Sequence, residues 1–183
     1  MRIFLALKFS EEEIFPVDEE NNSLSRNNSS PMATFSQTKS PCFQLIIIGT
    51  EHDAVQLCLF AFSTGWDVTI IASPKDPRNI TDFPGAKCVL SIDHTELSQM
   101  TFDDQTAIVV MTHNFAADLC FLTALKNTHA LYIGLLGPVL RREKLLSQLI
   151  EFDHTISSEY LDKIHGPAGL NIGSVTPQEI AIA

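Results

Sequence analysis

Short apolar runs rich in β-branched residues alternate with helix-like stretches over most of the chain. Strands are predicted at residues 43–48, 66–72, 87–92, 106–111 and 129–135. Helices are predicted at residues 53–63, 114–126 and 139–152. Continuous apolar strands that alternate with helices are typical of βαβ units with right-handed crossovers. The pattern therefore predicts an α/β fold, a three-layer α/β/α sandwich with a mainly parallel sheet.

The first 42 residues have a different character. Residues 2–9 have the pattern of a short strand, but an acidic stretch and a segment rich in Ser, Asn and Thr follow. Such a segment buries too little apolar surface to offset the entropy that it loses on ordering. We therefore divide the chain into a polar, flexible N-terminal arm or linker over residues 1–42 and an α/β domain over residues 43–183.

The end of the chain combines a glycine-rich loop with a clear helix start. Residues 164–173 contain three glycines and are predicted as a loop. Thr176, Pro177 and Glu179 then form a capping box with proline at the first helical position. Only four residues follow Glu179, so we expect the last helix to be incomplete.

The 183-residue chain is acidic, with 22 Asp and Glu against 12 Lys and Arg and a formal net charge of −10. This balance argues against general nucleic-acid binding, which needs a basic surface. The apolar stretch after Met1 is too short for a secretory signal, and no apolar run approaches the roughly 18 residues of a membrane-spanning helix. We therefore expect a cytoplasmic protein with neither nucleic acid nor a membrane as partner.

The cysteines and histidines form no metal-ligand motif. Cys42, Cys58, Cys88 and Cys120 are too far apart for a CxxC pair. The six histidines also lack the spacing of a zinc site. Cys58, Cys88 and Cys120 lie in apolar runs, so we expect them to be buried, inert thiols and predict no bound metal.

The turn after the first predicted strand lies where dinucleotide-binding folds carry G-x-G-x-x-G. Gly49 supplies the first glycine, but Glu51 occupies the second position and adds both bulk and negative charge. Ala72 stands at the end of the second strand, where an acidic residue would bind a ribose. Glu51 and Ala72 therefore argue against NAD(P). The alternative for residues 51–53 is that they only occupy a helix N-terminus.

A polar group follows the fourth predicted strand. Thr112, His113 and Asn114 come directly after it, and Asp118 lies five residues beyond His113. Because the carboxyl ends of parallel strands form the ligand crevice, His113 is placed to contact a ligand or to exchange a proton. The equally weighted alternative is that His113 and Asn114 only close a turn, with Asn114 as the helix N-cap.

A second candidate follows the fifth predicted strand. Gly134 and Gly137 allow close backbone approach, a helix starts at Pro138, and Arg141 lies in its first turns. A glycine loop, a helix N-terminus and a guanidinium together make half of an anion-binding pocket. The alternative is a solvated basic helix face. His165, in the glycine-rich loop, could face the same crevice.

These later segments together resemble the xanthine dehydrogenase accessory protein family, XdhC/CoxI. The matching segments are VVMTHNFAAD (109–118), LYIGLLGP with the arginines after it (131–142) and HGPAGLNIGSVTPQEIA (165–181). A weaker match is IIIGTEHDA (46–54) with the GWDVTII that follows. The resemblance covers about residues 43–183 and corresponds to the family's C-terminal, Rossmann-like domain.

The resemblance implies a chaperone-like accessory protein in molybdoenzyme maturation, which binds and delivers molybdenum cofactor (molybdopterin) rather than turning over a substrate. Its implied client is a molybdoenzyme of the xanthine dehydrogenase type, with a cysteine desulfurase and a second copy of the chain as further candidate partners. The residues that we expect around the cofactor are Gly49, Thr112, His113, Asn114, Asp118, Gly134, Gly137, Arg141 and His165.

The chain departs from the family pattern in several places. Glu51 replaces a glycine, Ala72 replaces an acidic residue, and the family's N-terminal half with its cysteine motif is missing. Two alternatives therefore stay open. One is an NAD(P)-binding oxidoreductase, which fold class alone supports. The other is a degenerate interaction module that binds no ligand.

Overall fold

The computed structural model describes residues 43–183 and the backbone of residues 15–16 and 34–35. Those two short segments form strands β1 (Phe15–Pro16) and β2 (Thr34–Phe35), which pair antiparallel. The predicted strand at 2–9, Cys42 and the rest of the predicted arm lie outside the described residues.

The main sheet has six parallel strands in the order β5-β4-β3-β6-β7-β8. Its strands are β3 (Gln44–Ile48), β4 (Asp67–Ala72), β5 (Ala86–Ser91), β6 (Thr106–Val110), β7 (Tyr132–Leu135) and β8 (Ile164–His165). Helices of the described residues are α1 (His52–Ser63), α2 (His94–Leu97), α3 (Phe115–Ala124), α4 (Val139–Phe152), α5 (Ser158–Asp162) and α6 (Pro177–Ile182). A 3-10 turn covers Ile80–Asp82. The predicted α/β class with a parallel sheet is confirmed.

The two faces of the sheet carry separate cores. Alternate residues of the strands, such as Ile46 and Ile108, pack on one face against α2, α3, α4 and α5. The residues between them, such as Ile47, pack on the other face against α1. Helix α6 contacts α1 and so lies on that second face. These strands are buried on both faces, which explains their continuous apolar runs in the sequence.

The last part of the chain differs from the prediction. The sequence pattern predicts only a loop over residues 164–173, yet Ile164 and His165 extend the sheet as β8 by pairing with Ile133 and Gly134. Helices α2 and α5 are not predicted either. Elements of two to five residues are too short to show a hydrophobic period, so pattern analysis does not detect them. The capping box of α6 is confirmed, since Thr176 Oγ1 accepts the Glu179 N–H.

Candidate functional site

The crevice of this sheet lies where the strand order reverses, between β3 and β6. The chain runs from β3 outwards to β4 and β5, and from β6 in the opposite direction to β7 and β8. Gly49, directly after β3, has a φ of +140°, and a Cβ there would lie 2.3 Å from the Met111 carbonyl oxygen. Gly49 therefore acts by letting the ends of β3 and β6 approach each other, and it does not line the cavity described next.

A cavity of about 770 Å³ opens beside the carboxyl ends of β6 and β7, on the face of the sheet that carries α1. Its floor includes Met111 and Leu136, and its outer wall is formed by residues 167–174 and the end of α6. His113, Gly137 and Arg141 line it together with Asp53. This volume falls in the range of small-molecule sites.

His113 and Asp53 form a hydrogen-bonded pair at this cavity. The Nε2 atom of His113 lies 2.7 Å from Oδ2 of Asp53, and the other Asp53 oxygen accepts the Ala54 N–H at 3.0 Å. The Asp53 side chain is 6% exposed, whereas the imidazole is 50% exposed. His113 also has a φ of +57°, a conformation that costs about 1 kcal/mol or more in a non-glycine residue. The fold thus holds an imidazole at the cavity on a strained backbone.

Arg141 is held from behind by a second buried carboxylate. Its Nη2 donates to Oδ2 of Asp118 at 2.6 Å, and the Asp118 side chain is only 2% exposed. Thr112 donates its hydroxyl to the other Asp118 oxygen at 2.5 Å. The guanidinium lies 5.6 Å from the centre of the Phe115 ring. Since a guanidinium has five N–H donors, this arrangement orients Arg141 and leaves donors for a ligand.

The N-terminus of α4 opens next to Arg141. Its N-cap is Pro138, which provides no side-chain hydrogen bond to the first turn. Gly137 precedes it with a φ of +119°, and a Cβ there would lie 2.7 Å from Arg141 Cδ. A helix N-terminus favours an anion, so the first turn of α4 and Arg141 give this corner of the cavity the chemistry that suits one.

The remaining predicted residues lie outside the cavity lining. Asn114 caps α3 by accepting the Ala116 and Ala117 N–H groups, which is the structural alternative considered for it. Thr112 and Asp118 support Arg141 from behind. Gly134 and His165 lie in β7 and β8, where His165 stacks on Tyr132 with ring centroids 4.8 Å apart.

The pairing of Asp53 with His113 is not among the predictions from the sequence. Residues 51–53 are considered there only as part of a dinucleotide turn or as a helix N-terminus, and Asp53 and His113 are 60 positions apart. The sequence feature that points to this pair is position: Asp53 and His113 each follow the end of a strand, and those strands, β3 and β6, are neighbours in the sheet. The cavity wall at 167–174 was also missed, although its glycines marked it as a loop near the strand ends.

On the other side of the crevice, between β3 and β4, the side chains of the two loops pair with one another. The Arg78 guanidinium lies 3.4 Å from the Glu51 carboxylate, and Thr50 donates its hydroxyl to Asp76. This hydrogen bond is the main cause that lowers the pKa of Asp76. Glu51, expected to repel a dinucleotide, is therefore paired with a cation of the neighbouring loop.

The thiols follow the expectation only in part. Cys58 is buried, and desolvation raises its pKa to about 11. Cys88 and Cys120 are half-buried. Within the part of the chain that the structure describes, no group of three His, Cys, Asp or Glu residues could hold a metal ion. No helix among the described residues is long and apolar enough to cross a membrane.

Strand order, the parallel sheet and the crevice between β3 and β6 define a Rossmann-type domain. Residues 45–183 match the XdhC Rossmann domain, and the chain belongs to that family. The resemblance found in the sequence is thereby confirmed.

The chain is also similar to two curated proteins and to one solved structure. The chain is 32% identical over 152 residues to a probable xanthine dehydrogenase subunit of Bacillus subtilis (strain 168), covering 81% of this chain and 43% of that protein. It is 27% identical over 142 residues to the uncharacterized protein YqeB of Escherichia coli (strain K12), covering 76% and 26%. A crystal structure of a xanthine dehydrogenase from Bacillus halodurans is 28% identical, with a TM-score of 0.69, and covers 85% of this chain and 44% of that one. The chain thus spans less than half the length of these relatives.

Proposed function

We propose that this domain is the cofactor-binding part of an accessory protein for molybdoenzymes of the xanthine dehydrogenase type, and that it holds molybdenum cofactor in the cavity beside Arg141. Membership of the XdhC family and the names of two relatives support the context. The observation that carries the proposal is the meeting of Arg141, the first turn of α4 and His113 at one cavity.

A phosphate-bearing pterin suits this set of groups. Its phosphate would lie against Arg141 and the α4 amides, which are the two anion-binding features of the cavity. Asp118 neutralises part of the Arg141 charge, so the helix N-terminus and the free guanidinium donors carry the attraction. The apolar side chains of Met111 and Leu136 leave a surface for a flat ring.

In this proposal the residues of the chain bind and orient, and they do not turn over a substrate. Arg141 and α4 would hold the phosphate, and His113 would contact the polar edge of the pterin. The bound cofactor supplies the redox chemistry of the client enzyme after transfer. We also propose that the client is a xanthine dehydrogenase-type molybdoenzyme; a cysteine desulfurase and a homodimer stay predictions.

Mass spectrometry of the small molecules retained by the protein tests this proposal. The protein is purified gently from cells that make molybdenum cofactor, next to an Arg141→Gln variant and an Arg78→Gln control. We expect a pterin cofactor with the wild type and the control and its loss from Arg141→Gln. Folded wild-type protein that retains no pterin, or retains a dinucleotide instead, contradicts the proposal.

A further inference from the structure

We propose that His113 presents an unprotonated Nδ1 to the cavity, that Asp53 imposes this tautomer, and that the pair selects ligands with a proton-donating group at that point. The part that concerns the ligand rests on the proposed function, whereas the tautomer belongs to the ligand-free protein. Asp53 is accordingly a positioning residue, and His113 is the residue that contacts the ligand.

The hydrogen-bonding partners of Asp53 determine the tautomer. An ionised carboxylate only accepts hydrogen bonds, and a neutral imidazole has one N–H and one acceptor nitrogen. Because Nε2 of His113 lies 2.7 Å from Asp53, Nε2 must carry the proton. In the neutral ring the lone pair is then on Nδ1, to which none of the described residues donates a hydrogen bond.

The surroundings place this ring at the cavity. The imidazole is half exposed and lines the cavity, while Asp53 lies almost completely buried beneath it. The positive φ of His113 shows that the backbone is held against its own preference to place this ring. Arg141 offers only donors to the same cavity, so His113 supplies the complementary acceptor.

The hydrogen bond from the Ala54 N–H to Asp53 makes Asp53→Asn a test of the His113 tautomer. In Asp53→Asn, the side-chain oxygen stays on the Ala54 N–H, since the alternative orientation would bring two donors together. The amide NH₂ of the new side chain then faces Nε2, which must accept. The proton of His113 therefore moves to Nδ1, and the cavity meets a donor instead of an acceptor.

Nitrogen-15 NMR of the imidazole rings tests the tautomer without any ligand. His113→Gln assigns the resonances, and Asp76→Asn is the matched control, since it makes the same change on the other side of the crevice. We expect a protonated Nε2 in the wild type and in Asp76→Asn, and a protonated Nδ1 in Asp53→Asn. A wild-type ring protonated at Nδ1, or an unchanged ring in folded Asp53→Asn, would overturn the proposal.

Binding of isolated molybdenum cofactor to the same variants tests the ligand. In Asp53→Asn the protonated Nδ1 of His113 would face the proton-donating group of the ligand, which should weaken binding by about tenfold to a hundredfold. The affinity of Asp76→Asn should equal that of the wild type. Equal affinity of Asp53→Asn and the wild type would overturn the acceptor role. If the wild type shows the expected tautomer but binds no cofactor, the proposed function fails and the tautomer assignment stands.

Discussion

The two sides of the crevice use the same kinds of residues in opposite ways. Between β3 and β4, Arg78 pairs with Glu51 at the surface, and Thr50 donates its hydroxyl to Asp76. At the cavity beside β6 and β7, the carboxylates of Asp53 and Asp118 are buried and hold His113 and Arg141 from behind. The second arrangement leaves an imidazole and a guanidinium in the lining of a cavity.

This difference shows that the position of the carboxylate decides what an ion pair does. A pair between two largely exposed side chains is weak and screened by solvent, so it does little to fix the orientation of either side chain. A buried carboxylate cannot move towards solvent, so it fixes the orientation of its partner and directs the partner's remaining hydrogen-bonding atoms outwards. We therefore propose the β6–β7 side as the side that binds a ligand, although a dinucleotide fold would use both.

The largest predicted difference between the two sides is in the free energy of unfolding that is lost when Arg141 or Arg78 is removed. Arg141→Ala leaves the buried Asp118 with only Thr112, and we expect a loss of about 3 kcal/mol in the free energy of unfolding. Arg78→Ala removes a pair with Glu51, whose side chains are 34% and 51% exposed, and a longer contact of 3.7 Å with Asp76, so we expect less than about 1 kcal/mol. Urea unfolding of both variants measures the contrast, and equal losses would refute it.

Two glycines of the cavity wall give a second, smaller contrast. Gly137→Ala combines a φ of +119° with a Cβ 2.7 Å from Arg141 Cδ, so we expect a loss of about 2 kcal/mol and a displaced Arg141. Gly173→Ala has a φ of +78° but open space around its Cβ, so only the backbone cost of about 1 kcal/mol applies. Thermal or urea unfolding checks this order, and equal losses would show that Arg141 moves away without cost.

The smallest predicted effect concerns the hydrogen bond between Thr50 and Asp76 on the β3–β4 side, and how its contribution to stability depends on pH. The hydrogen bond from Thr50 lowers the pKa of Asp76 in the folded protein, so the ionised form stabilises the fold. This stabilisation is present above the usual Asp pKa of about 4 and is lost as pH falls through the lowered value. Thr50→Val should cost less than about 1 kcal/mol at pH 7, with a difference that shrinks in acid. A difference independent of pH would exclude the Asp76 carboxylate as its source.

Elements with a long hydrophobic pattern could be predicted from the sequence, and short ones could not. The apolar run of β3 and the amphipathic pattern of α4 determine their structures locally, as the capping box does for α6. Strand β8 forms because Ile164 is buried beside Ile133, which depends on the packing of the whole sheet.

The site could be predicted as a place but not as a set of contacts. His113 follows a predicted strand and Arg141 lies near a predicted helix start, so both could be predicted near the crevice, because the fold class determines where the crevice lies. Their buried partners could not be predicted. The pairing of Asp53 with His113 depends on the register of β3 and β6, and that of Asp118 with Arg141 on how α3 packs against α4.

The most direct test of the account is the affinity of isolated molybdenum cofactor for the wild type, Arg141→Gln and Arg78→Gln. Each substitution removes one guanidinium: Arg141→Gln on the β6–β7 side of the crevice and Arg78→Gln on the β3–β4 side. If Arg141 holds the phosphate, the affinity should fall by at least about tenfold for Arg141→Gln, as expected when a charged hydrogen bond is removed, and should not change for Arg78→Gln. Equal losses, or a loss confined to Arg78→Gln, would contradict this role of Arg141.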